Sequence, residues 1–177
     1  MSSASKRWQK ISKEVDGLHD SLGRPVDSGI KDLVVVLRIL GYKTIGSCEG
    51  HIDHGTGGPW VTIMIDEAEE LETRLRGERR STSSRQWLKA TKPVREIVDK
   101  HLLPLEKLLK DFYKTRQPKA DLKIELYNPG GGLVILESRG LNTSIWQKLL
   151  EPKYNLRKLR AYQAEMQALT NFLKEQL

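Results

Sequence analysis

The chain has 177 residues, of which 38% are hydrophobic and 30% charged, and its formal net charge is +7. This length predicts one domain with a single core, and the longest apolar run, residues 33–37, is far shorter than the roughly 20 residues that span a bilayer. The N-terminus has a positive start but no apolar segment behind it, which argues against a secretory signal. The only cysteine, Cys48, excludes an internal disulfide framework. We therefore expect a cytoplasmic protein without a membrane partner.

Two amphipathic helices are predicted before the first strand. In each segment apolar residues recur every three or four positions, which is the period of a helix face packed on a core. The two stripes comprise Trp8, Ile11, Val15, Leu18 and Leu22, then Ile30, Leu33, Val34, Leu37 and Leu40. Gly23 and Pro25 separate the helices, Asp27 or Ser28 can cap the second helix, and Gly41 ends it.

Four short strands are predicted in the middle of the chain. Residues 43–48 favour a strand that carries Cys48 at its end, and residues 60–65 are rich in β-branched and aromatic side chains. Residues 122–127 alternate apolar and polar side chains, and residues 133–137 follow an Asn-Pro-Gly-Gly-Gly turn. The last two segments therefore predict a hairpin.

The other segments are predicted to be helical, apart from one loop. Asp66 and Glu69 resemble a capping box at the start of an acidic helix, and residues 76–85, without any apolar side chain, predict a mobile basic loop. A long helix follows, which Pro104 is expected to kink or break. The stripes of this helix and of the C-terminal helix comprise Val94, Val98, His101, Leu105, Leu108 and Phe112, then Leu159, Tyr162, Met166, Leu169 and Leu173.

These elements predict the fold class. There are about five helices and four strands, hairpin signals are present, and regular βαβ alternation and internal repeats are missing from the sequence. We therefore predict an α+β fold in which residues 1–177 form a single domain, with an about four-stranded, largely antiparallel sheet packed against the helices.

The positive charge is concentrated in one stretch. Residues 74–119 contain 14 Lys or Arg against 5 Asp or Glu, and the remainder is slightly acidic. A basic stretch of this kind attracts polyanions such as nucleic acid, and it is equally typical of a solvated helix face. A nucleic acid or another polyanion bound through Arg74 to Lys119 is therefore a hypothesis, and the sequence does not indicate an oligomeric state.

Reactive side chains are densest in residues 47–60, with the sequence SCEGHIDHGTGGPW. This segment contains the only cysteine, two of the four histidines, two carboxylates and four glycines. Three chemical interpretations are open, in addition to a structural one in which the glycines shape a tight crossover and Cys48 packs as a small apolar side chain.

The first chemical interpretation is metal binding. Cys48, His51 and His54 are spaced three residues apart, and a turn could direct their thiolate and imidazoles at a borderline-soft ion such as Zn²⁺. Three ligands and an open position would suit catalysis. A fourth ligand would be Asp53, His19 or water.

The second interpretation is covalent catalysis, with Cys48 as the nucleophile and Glu49 and His51 beside it in the catalytic group. The Gly-x-Cys-x-Gly pattern of residues 46–50 is similar to a nucleophile elbow. A true elbow leads directly into a helix, whereas residues 51–59 are rich in glycine.

The third interpretation is a loop that binds a phosphate or carboxylate through its backbone. Glycines leave backbone N–H groups accessible to an anion, and the absence of a Gly-Lys-Ser/Thr ending excludes a P-loop. The predicted ligand-binding residues are Ser47, Gly50, Asp53, Gly55 and Trp60.

Five short segments carry a resemblance to a family of uncharacterised bacterial proteins that have a Ser-Cys-Glu-Gly-His motif. They are Asp27-Ser-Gly-Ile30, Ser47-Cys-Glu-Gly-His51, Asp53-His54-Gly55, Pro59-Trp60-Val61 and Tyr162-Gln-Ala-Glu-Met166. This resemblance implies a bacterial or phage origin and a shared site, not a reaction. A second resemblance, to wybutosine-synthesis methyltransferase-type proteins with a Ser-Ser-Cys-Ser-Gly-Arg stretch, rests on Ser47, Cys48 and Gly50 alone.

The sequence thus leads to one main functional hypothesis, a bacterial protein with a Cys/His polar site that depends on a metal and acts on a nucleotide or RNA. The alternative is a non-enzymatic nucleic-acid-binding or regulatory protein in which the loop after Cys48 is structural. The sequence leaves open whether the protein is an enzyme.

Overall fold

The computed structural model describes residues 3–53, 57–77, 84–142 and 152–177. These residues form seven helices and one four-stranded sheet, so the predicted α+β fold is confirmed. The elements are α1 (Ser3–Asp16), α2 (Ser28–Ile39), β1 (Lys43–Cys48), β2 (Trp60–Met64), α3 (Asp66–Gly77), α4 (Ser84–Ala90), α5 (Lys92–Phe112), β3 (Ile124–Gly130), β4 (Leu133–Ser138), α6 (Arg139–Asn142) and α7 (Pro152–Lys174).

The sheet is antiparallel throughout and has the strand order β1-β2-β4-β3. Alternate residues of the central strands β2 and β4 are fully buried, because successive side chains of a strand point to opposite faces. These residues are Val61, Ile63, Val134 and Leu136. They form one hydrophobic core with the buried faces of α2, α5 and α7. The sheet therefore has one core face, and β1 is one of its two edges.

The edge strand β1 contains a bulge that decides where its cysteine points. Its register with β2 skips one residue between Thr44 and Gly46. An extra residue reverses the alternation of side chains beyond it. Cys48 therefore pairs with Trp60 and shares its face of the sheet, opposite to the face of the buried Val61.

Helix α5 differs from its prediction in two ways. It continues through Pro104, so the predicted break does not occur. Pro104 is exposed, and the carbonyl that loses its N–H donor can bond to water instead. The buried stripe contains Leu102 and Leu109, whereas the sequence pattern placed His101 in it. His101 is exposed, because the packed face lies one residue further along the helix.

The predicted mobile loop 76–85 spans the end of α3 and the start of α4. Arg76 and Gly77 are the last residues of α3, and Ser84 is the first residue of α4. Residues 78–83 lie outside the described residues, so the prediction for them stays a prediction.

Candidate functional site

The N-terminus of α2 is capped by a residue from another part of the chain. Asp27 occupies the N-cap position, yet its side chain makes no capping hydrogen bond. Glu49, in the loop after β1, caps the helix instead, because its Oε2 accepts the N–H of Gly29 at 2.7 Å. A Cβ at Gly29 would lie 2.6 Å from that oxygen, so a larger residue there would displace the carboxylate of Glu49. In return, Asp27 Oδ2 accepts the N–H of Glu49 at 3.1 Å.

Helix α7 fixes the same loop from the other side. Gln163 Nε2 donates to the carbonyl oxygen of Glu49 at 3.1 Å and lies 3.5 Å from that of Gly50. Gly50 has a φ of 85°, and a Cβ there would lie 2.6 Å from the carbonyl carbon of Gly58 and 2.8 Å from Leu159 Cδ1. Only glycine tolerates both this backbone conformation and this approach. The loop is thus fixed between α2, β1 and α7.

This arrangement brings Asp27, Cys48 and His51 together. One potential ligand atom from each side chain lies within 4.8 Å of the other two. His51 Nε2 is 3.4 Å from Asp27 Oδ2, and Cys48 Sγ accepts the N–H of Gly50 at 3.3 Å. We call these three residues the ligand cluster. The side chains of His51 and Asp27 are 24% and 33% exposed, and Cys48 is the most buried of the three, so solvent reaches the cluster at His51 and Asp27.

The distance between His51 and Asp27 in the ligand cluster fits a tetrahedral metal ion. Zn²⁺ binds imidazole nitrogen and carboxylate oxygen at about 2.0–2.2 Å, and a tetrahedral angle places two such atoms about 3.3–3.5 Å apart. The 3.4 Å between His51 and Asp27 matches this separation. It exceeds the roughly 2.7–2.9 Å of a direct charge-assisted hydrogen bond. The N–H of Gly50 donates to the sulfur of Cys48 and so fixes its position.

The same three residue types also occur in cysteine nucleophile sites. There a histidine lies between the thiol and a carboxylate, and takes the proton of the thiol. The chain after Cys48 does not enter a helix within the described residues 49–53, so the predicted nucleophile elbow lacks its helix.

The ligand cluster borders a groove of about 640 Å³, which is within the usual range for small-molecule sites. The groove runs along β1, and its other walls are the turn between α1 and α2 and one face of α2. We call it the β1 groove. Besides the ligand cluster, the polar and aromatic side chains that line it are His19, Asp20, Arg24, Arg38, Thr44, Ser47 and Trp60.

The turn that forms one wall of the β1 groove is stabilised by its own hydrogen bonds. Asp20 Oδ1 accepts the N–H groups of Leu22 and Arg24 at 2.8 and 2.9 Å, and Asp20 Oδ2 pairs with Arg24 Nε at 2.9 Å. These bonds, first of all the one from the backbone of Arg24, lower the pKa of Asp20 below its ordinary value. His19 Nδ1 lies 3.1 Å from the carbonyl oxygen of Gly17. Asp20 and Arg24 therefore neutralise each other at the rim of the groove.

The structure brings together some of the predicted site residues and separates others. Cys48, His51, Ser47 and Trp60 all line the β1 groove. The carboxylate of Glu49, predicted to be catalytic, is bound to α2, and Glu49 is not among the lining residues. The remaining predicted residues are Gly50, which shapes the loop, Asp53, which is exposed, and His54 and Gly55, which lie outside the described residues.

Two residues of the site were not identified as such from the sequence. The sequence indicated Asp27 only as a helix cap, and no motif or spacing pointed to Arg38. The one signal for Asp27 was its place in the Asp27-Ser-Gly-Ile30 segment of the family resemblance. That segment meets the segment 47–51 through Glu49, and Gln163 from a third such segment holds the same loop.

The basic stretch 74–119 is divided among several elements in the structure. Helix α5 carries five Lys or Arg and four Asp or Glu, so it has little excess charge. Arg76, Lys114 and Arg116 are paired with carboxylates. Residues 78–83 are outside the described residues. The polyanion partner thus stays a prediction. Among the described residues, no helix has the length and apolar character required to span a bilayer.

The chain matches no protein-family model, and no curated protein and no solved structure matches it. What the site does must therefore be inferred from its geometry.

Proposed function

We propose that the protein is a zinc-dependent enzyme that binds its metal through Asp27, Cys48 and His51 and acts on a nucleotide or RNA. The observation that carries this proposal is the ligand cluster itself. Thiolate, imidazole and carboxylate are the three ligand types of zinc sites, and one atom of each lies within 4.8 Å of the others beside a groove.

The number of candidate ligands among the described residues favours a catalytic role for the metal. Structural zinc sites usually have four protein ligands, whereas catalytic sites keep one position for water or substrate. Three protein ligands come from the described residues, and their charges balance the charge of Zn²⁺. A zinc ion held by Asp27, Cys48 and His51 would act as a Lewis acid and would supply a nucleophile from water at neutral pH.

The residues around the ligand cluster support its geometry. The N–H of Glu49 holds the carboxylate of Asp27, and the N–H of Gly50 holds the sulfur of Cys48. Such outer hydrogen bonds orient metal ligands before the metal arrives, and their loss typically weakens metal binding about 10–100-fold. The substrate class is supported by the size of the β1 groove and by the net positive charge of the chain.

The alternative function is nucleic-acid binding or regulation without catalysis. It is favoured by the bonds of Glu49 and Gln163, which make the loop after β1 a junction between three elements. In this case nucleic-acid affinity falls steeply with salt concentration, and a Cys48→Ala variant binds as the wild type does.

The test of the zinc site is the zinc content of the full chain after equilibration with Zn²⁺ and desalting. We expect one zinc ion per chain in the wild type and loss of zinc in Cys48→Ser. The matched control is His101→Gln, since His101 Nε2 is also 3.4 Å from a carboxylate oxygen but has no thiol beside it. Failure of the wild type to retain zinc, or full retention by Cys48→Ser, would refute the proposal.

The enzymatic part of the proposal has a separate test. The zinc-loaded and zinc-free forms are assayed for hydrolysis of nucleotides and of RNA. Turnover by the zinc-loaded form alone supports the enzyme, and equal RNA binding by the wild type and Cys48→Ala without turnover supports the alternative.

A further inference from the structure

Arg38 projects from α2 into the β1 groove and is held there by one residue. Its Nε donates to Thr44 Oγ1 at 2.7 Å, and its Nη2 donates to the carbonyl oxygen of Thr44 at 2.9 Å. A guanidinium group has five N–H donors, so three remain for another acceptor. The group is partly buried, and its orientation is fixed before any ligand binds.

The charge of Arg38 lacks an acidic partner among the residues that the structure describes. Within the described ranges, no acidic side chain pairs with Arg38, whereas Arg24, the other arginine of the β1 groove, is paired with Asp20. Partly buried charges are normally paired, because leaving water costs free energy. With zinc on the ligand cluster, the negative charges of Cys48 and Asp27 are also compensated. Arg38 is then the one fixed charge of the groove that lacks a counter-charge among these side chains.

The position of Arg38 sets the length of the ligand. Arg38 is bound to Thr44, and the ligand cluster lies at Cys48, four residues further along β1. Because the bulge adds one residue, this stretch spans only three residues of β2, from Ile63 to Trp60, and at about 3.3 Å per residue the two points are about 10 Å apart along the strand. An elongated molecule of the size of a mononucleotide spans such a distance, and a groove of about 640 Å³ has room for it.

We infer that Arg38 is an anion-binding subsite, and that the β1 groove takes an elongated small molecule with a phosphate or carboxylate group at Arg38 and its opposite end toward the ligand cluster. The planar guanidinium matches both anions through paired N–H donors. This inference rests on the proposed function for the role of the opposite end, but the anion subsite itself does not require zinc.

The test is isothermal titration calorimetry of the full chain, in zinc-free and zinc-loaded forms, with inorganic phosphate, adenosine 5′-monophosphate, adenosine and glutarate as probes. The variant is Arg38→Gln. The matched control is Arg95→Gln, since Arg95 also donates to a threonine hydroxyl and to a backbone carbonyl, those of Thr91 and Leu88, but lies outside the β1 groove.

We expect at least one anionic probe to bind the wild type and Arg95→Gln equally, and to bind Arg38→Gln about 10–100-fold more weakly, as for the loss of a charge-assisted hydrogen bond. Preference for adenosine 5′-monophosphate over glutarate identifies a phosphate ligand, and the reverse identifies a carboxylate ligand.

If Arg38→Gln does not fold, Arg38→Lys takes its place, because it keeps the charge and loses the paired donors. We expect it to bind several-fold more weakly than the wild type.

Two results would overturn the inference, namely no binding of any anionic probe to the wild type, or equal binding by the wild type and the Arg38 variant. Failure of the zinc proposal is recognised separately. In that case the effect of the Arg38 variant persists in the zinc-free protein while zinc itself does not bind.

Discussion

Two histidine–carboxylate pairs in this molecule have the same separation but different surroundings. His51 Nε2 lies 3.4 Å from Asp27 Oδ2, and His101 Nε2 lies 3.4 Å from Glu67 Oε2. The side chains of the first pair are 24% and 33% exposed, and those of the second pair are 51% and 67% exposed. Among the described residues, only the first pair has a third ligand atom, from Cys48, within 4.8 Å.

The difference shows that a separation suited to metal does not by itself make a site. The pair of His101 and Glu67 joins the exposed surfaces of α5 and α3, where a bound ion would compete with water on most sides. The pair of His51 and Asp27 exists because a loop is fixed by α2 and α7 and because a thiol from β1 faces it. Convergence from several elements, together with a groove, distinguishes the candidate site from a surface ion pair.

The largest expected effect concerns the loop after β1, which brings His51 to Asp27. Gly50→Ala places a Cβ 2.6 Å from the backbone of Gly58 at a φ of 85°. We expect the free energy of unfolding to fall by about 3–4 kcal/mol, from steric overlap and backbone strain together. Urea unfolding measures this change. The control is Gly57→Ala, since a Cβ at Gly57 has no atom within 4 Å, and equal stability losses in both variants would contradict the account.

The next effect compares zinc affinity after substitution of the two carboxylates, Asp27 and Glu67. Asp27→Asn keeps an acceptor for the N–H of Glu49 but removes a negative ligand. We expect zinc affinity to fall by more than about 100-fold, because loss of an outer partner alone costs about 10–100-fold. Glu67→Gln is expected to leave the affinity unchanged. Competition with a chromophoric chelator measures both affinities, and an equal effect of the two substitutions would contradict a specific role of Asp27 as a ligand.

A smaller effect is expected at Glu49, which is not a ligand but holds Asp27 in position for its pair with His51. Glu49→Ala removes the acceptor for the N–H of Gly29 at the start of α2. Loss of a cap costs about 1 kcal/mol of stability, and we expect zinc affinity to fall about 10-fold as the loop loses its position. Glu67→Ala is the control, and neither quantity should change in it. Zinc affinity at the wild-type level in Glu49→Ala would remove Glu49 from the support of the site.

The smallest effect lies in the turn of the β1 groove and depends on pH. The N–H of Arg24 and other donors hold the pKa of Asp20 below its ordinary value of 3.8. A group with a lowered folded-state pKa stabilises the fold above its unfolded pKa, and this stabilisation is lost as the pH falls through the folded-state pKa. Asp20→Asn should therefore be slightly less stable than the wild type at neutral pH and equally stable in acid. Urea unfolding at both pH values measures the difference, and a difference that grows in acid would contradict the assignment.

Much of the fold was predictable because its signals are local. Strand β1 begins and ends at the predicted residues, since a short β-favouring run is followed there by glycines. The stripe of α5 was misassigned at His101, because adjacent residues near the edge of an apolar face satisfy the same periodicity and only tertiary packing selects between them. The uninterrupted helix at Pro104 likewise depends on its exposure, which the sequence does not state.

Only those residues of the candidate site that lie close together in the sequence were predictable. Cys48 and His51 belong to one short segment, so the density of reactive side chains indicated them. Asp27 lies more than 20 residues earlier and joins them only because Glu49 takes its place as the cap of α2. The bulge between Thr44 and Gly46, which places Cys48 on the face of Trp60, is set by pairing with β2 and leaves no local pattern.

The most direct test of the central claim is the absorption spectrum of the Co²⁺-substituted protein at one equivalent of metal. Cobalt replaces zinc in tetrahedral sites and gives a thiolate-to-metal charge-transfer band when cysteine is a ligand. We predict this band together with intense tetrahedral d–d bands in the wild type and in His101→Gln, and their loss in Cys48→Ser, with altered d–d bands in Asp27→Asn and His51→Gln. Absence of the band in the wild type, or identical spectra in the wild type and both Asp27→Asn and His51→Gln, would contradict a metal site formed by Asp27, Cys48 and His51.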